Sequence, residues 1–151
     1  MSDVFTSAGT TLEVVADQPA TRDEAGFSAL TFTQVGEITD LGEYGVEYEV
    51  VTHNPLDSRR TIKRKGTAND GNITMQLGRV PSDAGQTVLQ DGADGAEKDT
   101  VHSFKITLQD GTVQYSTGQI FSYTTNVGSV NQITGASVTV EFDDQIIEVA
   151  P

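Results

Sequence analysis

The chain has 151 residues, of which 22 are acidic and nine basic, and its formal net charge is −13. This length suits a single domain, 1–151, with one core, and no apolar run reaches the roughly 18 residues of a membrane-spanning helix. Cysteine is absent, which excludes disulfides, thiolate metal sites and thiol nucleophiles. The first ten residues lack the basic and apolar regions of a signal peptide, so we expect synthesis in a cytoplasm.

Alternating apolar and polar residues along most of the chain predict a mainly β fold. Such alternation is typical of antiparallel strands with one face on a core and the other in water. The predicted strands are TLEVV (11–15), ALTFT (29–33), GVEYEVV (45–51), NITMQL (72–77), FKITL (104–108) and ASVTVEF (136–142). We therefore expect an antiparallel β-sandwich or barrel.

A hairpin is predicted within FKITLQDGTVQYSTGQIF, because Asp110-Gly111 supplies a tight turn between two alternating stretches. After Gly118 the apolar positions move from odd to even numbers, and then back at Phe121. A change of phase at a glycine indicates a β-bulge or a bend in the strand.

One short helix is predicted at about 83–91. Asp83 is a candidate N-cap, and Gln86 three residues later completes a capping-box pattern. Gly92 would end the helix. A helix of roughly two turns is not stable alone, so we expect it to flank the sheet.

Two connections are unusually long, namely residues 53–71 and residues 91–100. The first has 19 residues, whereas typical connections have about 4–6, and loops of that length are often functional. We predict that 53–71 forms a long protruding loop.

The residues offer little for catalysis, a cofactor or a metal. His53 and His102 are isolated in sequence, and we interpret both as surface or strand-edge residues. The acidic stretch Asp91, Asp94, Glu97 and Asp99 fits neither an EF-hand nor a calcium-binding glycine repeat. We therefore expect a protein that is not an enzyme.

The basic segment 58–66, SRRTIKRKG, contains Arg59, Arg60, Lys63, Arg64 and Lys65. The rest of the chain has four basic residues against 22 acidic ones, a balance of −18. A nucleic-acid site usually combines a basic domain with aromatic side chains, and this segment has neither. A solvated loop and a contact with a second copy of the chain remain as alternatives. Charge complementarity favours the second copy.

The candidate docking surface for that contact is the acidic segment 36–49, GEITDLGEYGVEYE. It contains five acidic residues and no basic one: Glu37, Asp40, Glu43, Glu47 and Glu49.

The order of these elements resembles the major tail tube protein of lambda-like, long non-contractile-tailed bacteriophages. The likeness covers nearly the whole chain and depends most on Pro81-x-Asp83-x-Gly85-x-x-x-Leu89 and on Asp110-Gly111-Thr112. The resemblance implies a structural virion protein with a β-sandwich or barrel and one flanking helix. It also implies hexameric rings that stack into a tube, with the connection 53–71 reaching a neighbouring ring.

The resemblance further implies partners and a location. Tape-measure protein would occupy the lumen, tail terminator or tip proteins would bind the tube, and DNA would pass through without specific binding. The protein would be made in the bacterial host cytoplasm and located in the phage tail. A second class, a secreted β-sandwich module that binds carbohydrate or calcium, is weakened by the missing signal peptide and by the absence of tryptophan for sugar stacking.

Overall fold

A computed structural model of the chain describes residues 4–151, so residues 1–3 of the predicted domain 1–151 lie outside the described residues. The elements, in chain order, are β1 (Thr11–Val15), α1 (Glu24–Ser28), β2 (Thr33–Gln34), β3 (Ile38–Asp40), β4 (Glu47–His53), β5 (Ile62–Asn69), β6 (Asn72–Gly78), α2 (Ala84–Asp94), β7 (His102–Thr107), β8 (Val113–Asn126), β9 (Gly135–Phe142) and β10 (Ile147–Val149).

An antiparallel sheet forms the body of the protein, with strand order β2-β1-β7-β8-β9-β6-β3 and β10 paired to β8. One segment, 33–40, joins both ends of this order. Its β2 part pairs with β1, while its β3 part pairs with β6. The sheet therefore curls and closes into a barrel, which confirms the prediction of a mainly β antiparallel fold.

The core lies inside the barrel. As the alternation predicts, every second residue of β1, β6, β7 and β9 is buried there. Burial alternates along β6 and β9, for example, as expected for strands with one face on a core. The buried apolar residues of these four strands are Leu12, Val14, Ile73, Met75, Leu77, Phe104, Ile106, Ala136, Val138, Val140 and Phe142.

The predicted hairpin joins β7 to β8. Gly111 has φ +95°, and the side chain of Asp110 accepts a hydrogen bond from the backbone N–H of Thr112 at 2.9 Å. The predicted bulge is present in β8, but it lies at Phe121, because the register with β9 shifts between Ile120 and Ser122.

Helix α2 begins as predicted, with the Asp83 carboxylate accepting a hydrogen bond from the backbone N–H of Gln86 at 3.0 Å. The buried Gln86 amide does not return to Asp83. It donates to the carbonyl oxygens of Gly36 and Gly78 instead. The prediction that Gly92 ends the helix is wrong. A Cβ there would lie 2.5 Å from Ile120 Cδ1, so glycine permits close packing on β8, and the helix continues to Asp94.

The expectation of one helix and of a strand at 29–33 is also wrong. Residues 24–28 form α1, capped by the Asp23 carboxylate, which accepts from the Gly26 N–H at 2.8 Å. This bond, with a second from the Thr21 hydroxyl, lowers the pKa of Asp23. Phe27 is buried and stacks on Tyr115 with ring centroids 5.0 Å apart. The helix thus covers an outward-facing aromatic residue of β8.

The prediction that 53–71 is a loop is correct for only about half of its length. Its residues 62–69 form β5, which pairs with β4 in a separate two-stranded sheet. We call residues 47–69 the arm, comprising β4, the tip 54–61 and β5. Every residue of both strands is exposed, so the arm protrudes from the barrel as a β-hairpin.

Candidate assembly surface

The two faces of the arm are defined by its register. Val50 lies opposite Lys65 and Thr52 opposite Lys63, which places these four side chains on one face. The other face carries Val51 opposite Arg64 and His53 opposite Ile62. Val50 is 61% exposed and Val51 54% exposed. The expectation that residues 45–51 form a half-buried strand is therefore wrong, because every residue of β4 is exposed.

The five basic residues predicted as a contact site all lie on the arm and are exposed. Lys63, Arg64 and Lys65 are on β5, while Arg59 and Arg60 are in the tip. The Lys65 ammonium lies 4.6 Å from the centre of the Tyr48 ring, a cation–π contact. The ion pairs within residues 4–151 join Arg22 to Asp144 and Lys105 to Glu13, both in the body. The arm charges are therefore left to solvent or to a partner.

The acidic segment 36–49 is divided between the body and the arm. Glu37, Asp40 and Glu43 are exposed beside or within β3. Glu47 and Glu49 instead belong to β4, at the base of the arm, because the chain leaves the barrel before residue 47. Glu43 and Glu47, one from each part, nevertheless line the same cleft at the base of the arm.

The base of the arm is anchored to the barrel by Tyr44 and by a close backbone approach. The Tyr44 hydroxyl donates to Gln114 Oε1, and its ring meets Phe142 edge-on at 6.3 Å. Burial, with nearby Glu148, raises the pKa of Tyr44, so its hydroxyl remains a donor at neutral pH. Gly71 has φ +85°, and a Cβ there would lie 2.6 Å from the Gly45 carbonyl oxygen. A side chain at position 71 would push apart the two segments that connect the arm to the barrel.

The histidines lie far apart in the sequence and in different parts of the molecule. His53 is exposed at the end of β4, as expected. The surface or strand-edge interpretation of His102 is wrong, because this residue is fully buried at the start of β7. Its Nδ1 lies 3.0 Å from the Thr100 carbonyl oxygen. Burial lowers the pKa of His102, which favours a neutral core residue.

The acidic stretch at 91–99 is partly helical, since Asp91 and Asp94 belong to α2. Glu97 accepts a hydrogen bond from the Thr100 hydroxyl at 2.6 Å. Within residues 4–151 no three histidine, aspartate or glutamate side chains are close enough together to hold a metal ion. Neither helix of this part of the chain has the length and apolar character needed to cross a bilayer.

Sequence reasoning missed a second exposed apolar region, in the connection between β8 and β9. Val127, Val130 and Ile133 are 63%, 96% and 89% exposed, and Phe121 at the bulge is 64% exposed. The only sequence signal was the presence of apolar residues among the polar and glycine residues of TTNVGSVNQITG. Those residues lack the alternation that draws attention to a strand.

Comparison with known proteins gives the fold a context. A chain of the anti-feeding prophage baseplate, in a 6-fold symmetrised structure, has a TM-score of 0.70 at 9% identity, covering 99% of this chain and 98% of that one. A chain of the sheath/tube terminator of an extracellular contractile injection system has a TM-score of 0.65 at 12% identity, covering 99% of this chain and 99% of that one. A chain of that system's sheath-tube complex has a TM-score of 0.61 at 13% identity, covering 94% of this chain and 88% of that one.

No curated protein matches the sequence. The family model described as lambda phage tail tube protein, TTP, matches residues 18–146. This range includes the barrel strands from β2 to β9, both helices and the whole arm. The chain therefore belongs to the lambda phage tail tube protein family, whose members are structural proteins of the phage tail and not enzymes.

Proposed function

We propose that the protein self-assembles into hexameric rings that stack into the phage tail tube. Membership of the tail tube family supports a tubular assembly. The number six is suggested by the 6-fold symmetrised assembly that contains a chain of the same fold. The family match also favours this function over a secreted binding module.

The observation that carries the proposal is the arm. An isolated two-stranded hairpin is marginally stable in water, yet this one exposes both of its faces and mixes aliphatic side chains with five basic ones. The arm has five basic and three acidic residues, a balance of +2, whereas the remainder of the chain has a balance of −15. A neighbouring copy therefore offers the complementary charge, and contact with that copy would cover the arm.

The acidic remainder suits a conduit for DNA. A polyanion binds proteins largely through release of counterions by basic residues, and four basic residues outside the basic segment leave few such contacts. DNA would pass through the lumen during ejection without specific binding. Tape-measure protein in the lumen and terminator or tip proteins at the ends are the partners we propose. Assembly would follow synthesis in the bacterial host cytoplasm.

Negative-stain electron microscopy tests this function. The protein, alone or with an assembly initiator from phage-derived particles, should form rings or hollow tubes. A strictly monomeric protein under both conditions would contradict the tube function.

A charge-reversed variant tests the role of the arm. It carries Arg59→Glu, Arg60→Glu, Lys63→Glu, Arg64→Glu and Lys65→Glu. Because all five side chains are exposed, its unfolding curve should stay close to that of the parent while stacking is lost. The control carries Arg59→Lys, Arg60→Lys and Arg64→Lys, which keep the charge and should keep the tubes. Tubes of unchanged length and yield in the reversed variant would remove the arm from stacking.

A further inference from the structure

A cleft lies at one end of the barrel, between the N-terminal segment, the region 38–44 and β7. Its volume is about 250 Å³, and its apolar lining comprises Ile38, Leu41, Tyr44, Ile106 and Leu108. An apolar cavity of about 150 Å³ can hold a benzene molecule, whereas small-molecule sites usually measure about 300–1,000 Å³. The cleft therefore has the size for one or two apolar side chains.

The edge of this cleft is acidic. Asp40 is one of its lining residues, and no basic residue lines it. The Asp40 Oδ1 atom accepts a hydrogen bond from the Gly42 N–H at 2.7 Å, which fixes the carboxylate beside the cleft. Glu37 and Glu43 are exposed on the two sides of the same segment. An apolar side chain accompanied by positive charge is the complementary occupant.

The tip of the arm has that combination. Leu56 is the most exposed large apolar side chain of residues 4–151, and the same turn contains Arg59 and Arg60 against one acidic residue, Asp57, so its net charge is positive. The turn is ordered by the Thr61 hydroxyl, which donates to Asn54 Oδ1 at 2.7 Å. Arg59 has φ +57°, a left-handed conformation that is uncommon outside glycine.

The tip of the arm cannot occupy the cleft of its own chain. The seven residues of β4 extend about 23 Å at roughly 3.3 Å per residue. Because both strands are exposed throughout and pair only with each other, this length carries the tip away from the barrel. The contact must therefore be made between copies.

We propose that Leu56 of one copy inserts into the cleft of the next copy, with Arg59 and Arg60 facing Asp40, Glu37 and Glu43 around it. The contact joins different surfaces of two identical subunits, so it propagates from copy to copy. The acidic edge sets the register, and the apolar cleft holds the tip. This inference rests on the proposed self-assembly and identifies its docking site.

Engineered cysteines test the contact, since the chain has none of its own. Leu56→Cys is combined with Ser7→Cys or, separately, with Thr39→Cys, which are two exposed residues of the cleft lining. The control pair combines Leu56→Cys with Gln90→Cys, an exposed position on α2. Assembled tubes of each variant are oxidised and separated by denaturing, non-reducing electrophoresis.

Both cleft pairs should give a ladder of trimers, tetramers and larger species, because each subunit is linked at two different surfaces. Leu56→Cys alone and the control pair should give dimers at most. Intact tubes without a ladder in either cleft pair would overturn the docking site and leave the tube function standing. Failure of the unmodified protein to form tubes with its initiator would instead overturn the function itself.

Discussion

The barrel and the arm are built from similar sequences and have opposite environments. In β6 the alternation of NITMQL buries Ile73, Met75 and Leu77, because one face of the strand packs into the core of the barrel. In β4 the alternation of VEYEVV leaves Val50 and Val51 exposed. Alternation therefore predicts a strand, but it does not predict what covers the strand.

The same difference predicts which part of the molecule determines stability and which part determines assembly. The barrel contains the buried core, and its strands pair on both sides through most of the sheet. The arm has one pairing partner for each strand and no buried residue in either strand. Substitutions in the barrel should therefore act on folding, and substitutions in the arm on assembly.

The largest expected contrast is between two leucines. Leu12→Ala removes a fully buried side chain and should lower the free energy of unfolding by about 2–5 kcal/mol. Leu56→Ala removes a fully exposed one, for which we expect a change within about 0.5 kcal/mol. Urea unfolding of the unassembled protein measures both. Equal losses would show that the arm tip belongs to the fold of the monomer.

A smaller contrast is expected between two glycines. A Cβ at Gly118 would lie 2.2 Å from the Glu141 carbonyl oxygen, a backbone atom inside the sheet, so Gly118→Ala should cost about 1–3 kcal/mol. A Cβ at Gly66 would lie 2.8 Å from Val51 Cγ2, the end of an exposed side chain that can rotate. Thermal unfolding should show the smaller loss for Gly66→Ala. The reverse order would mean that the arm is packed as tightly as the barrel.

The smallest effect concerns the buried His102. Its pKa in the folded protein is lowered from 6.5 by burial. As the pH falls below 6.5, the unfolded chain binds a proton at this histidine that the folded chain does not bind. The free energy of unfolding therefore declines until the pH reaches the pKa of the folded protein. His102→Gln should reduce this decline. Urea midpoints between about pH 7.5 and pH 5 measure it, and identical slopes in the two proteins would exclude His102 as the source.

Much of the barrel could be predicted from local signals. Strands β1, β6 and β9, the β7–β8 turn and the Asp83 cap each depend on residues close in sequence. Gly92 could not be interpreted that way, because its role is set by Ile120 on a distant strand. Helix α1 was missed because its main packing partner, Tyr115, lies almost 90 residues away.

The candidate site was predicted in part. Local charge identified the five basic residues of the arm. Local charge also grouped Glu47 and Glu49 of β4 with Glu37, Asp40 and Glu43, and no signal in the sequence marked where the chain leaves the barrel. The cleft could not be found from sequence, since its lining comes from three segments that meet only in the folded barrel.

Backbone hydrogen exchange before and after assembly tests the central claim most directly, namely that the arm is ordered by contact with other copies. In the unassembled protein, residues 47–69 should exchange rapidly, because a lone hairpin opens easily. Strands β6 and β9 provide the slowly exchanging reference. In assembled tubes the arm should become protected while the reference stays unchanged. An arm that exchanges equally fast in both states would contradict the account.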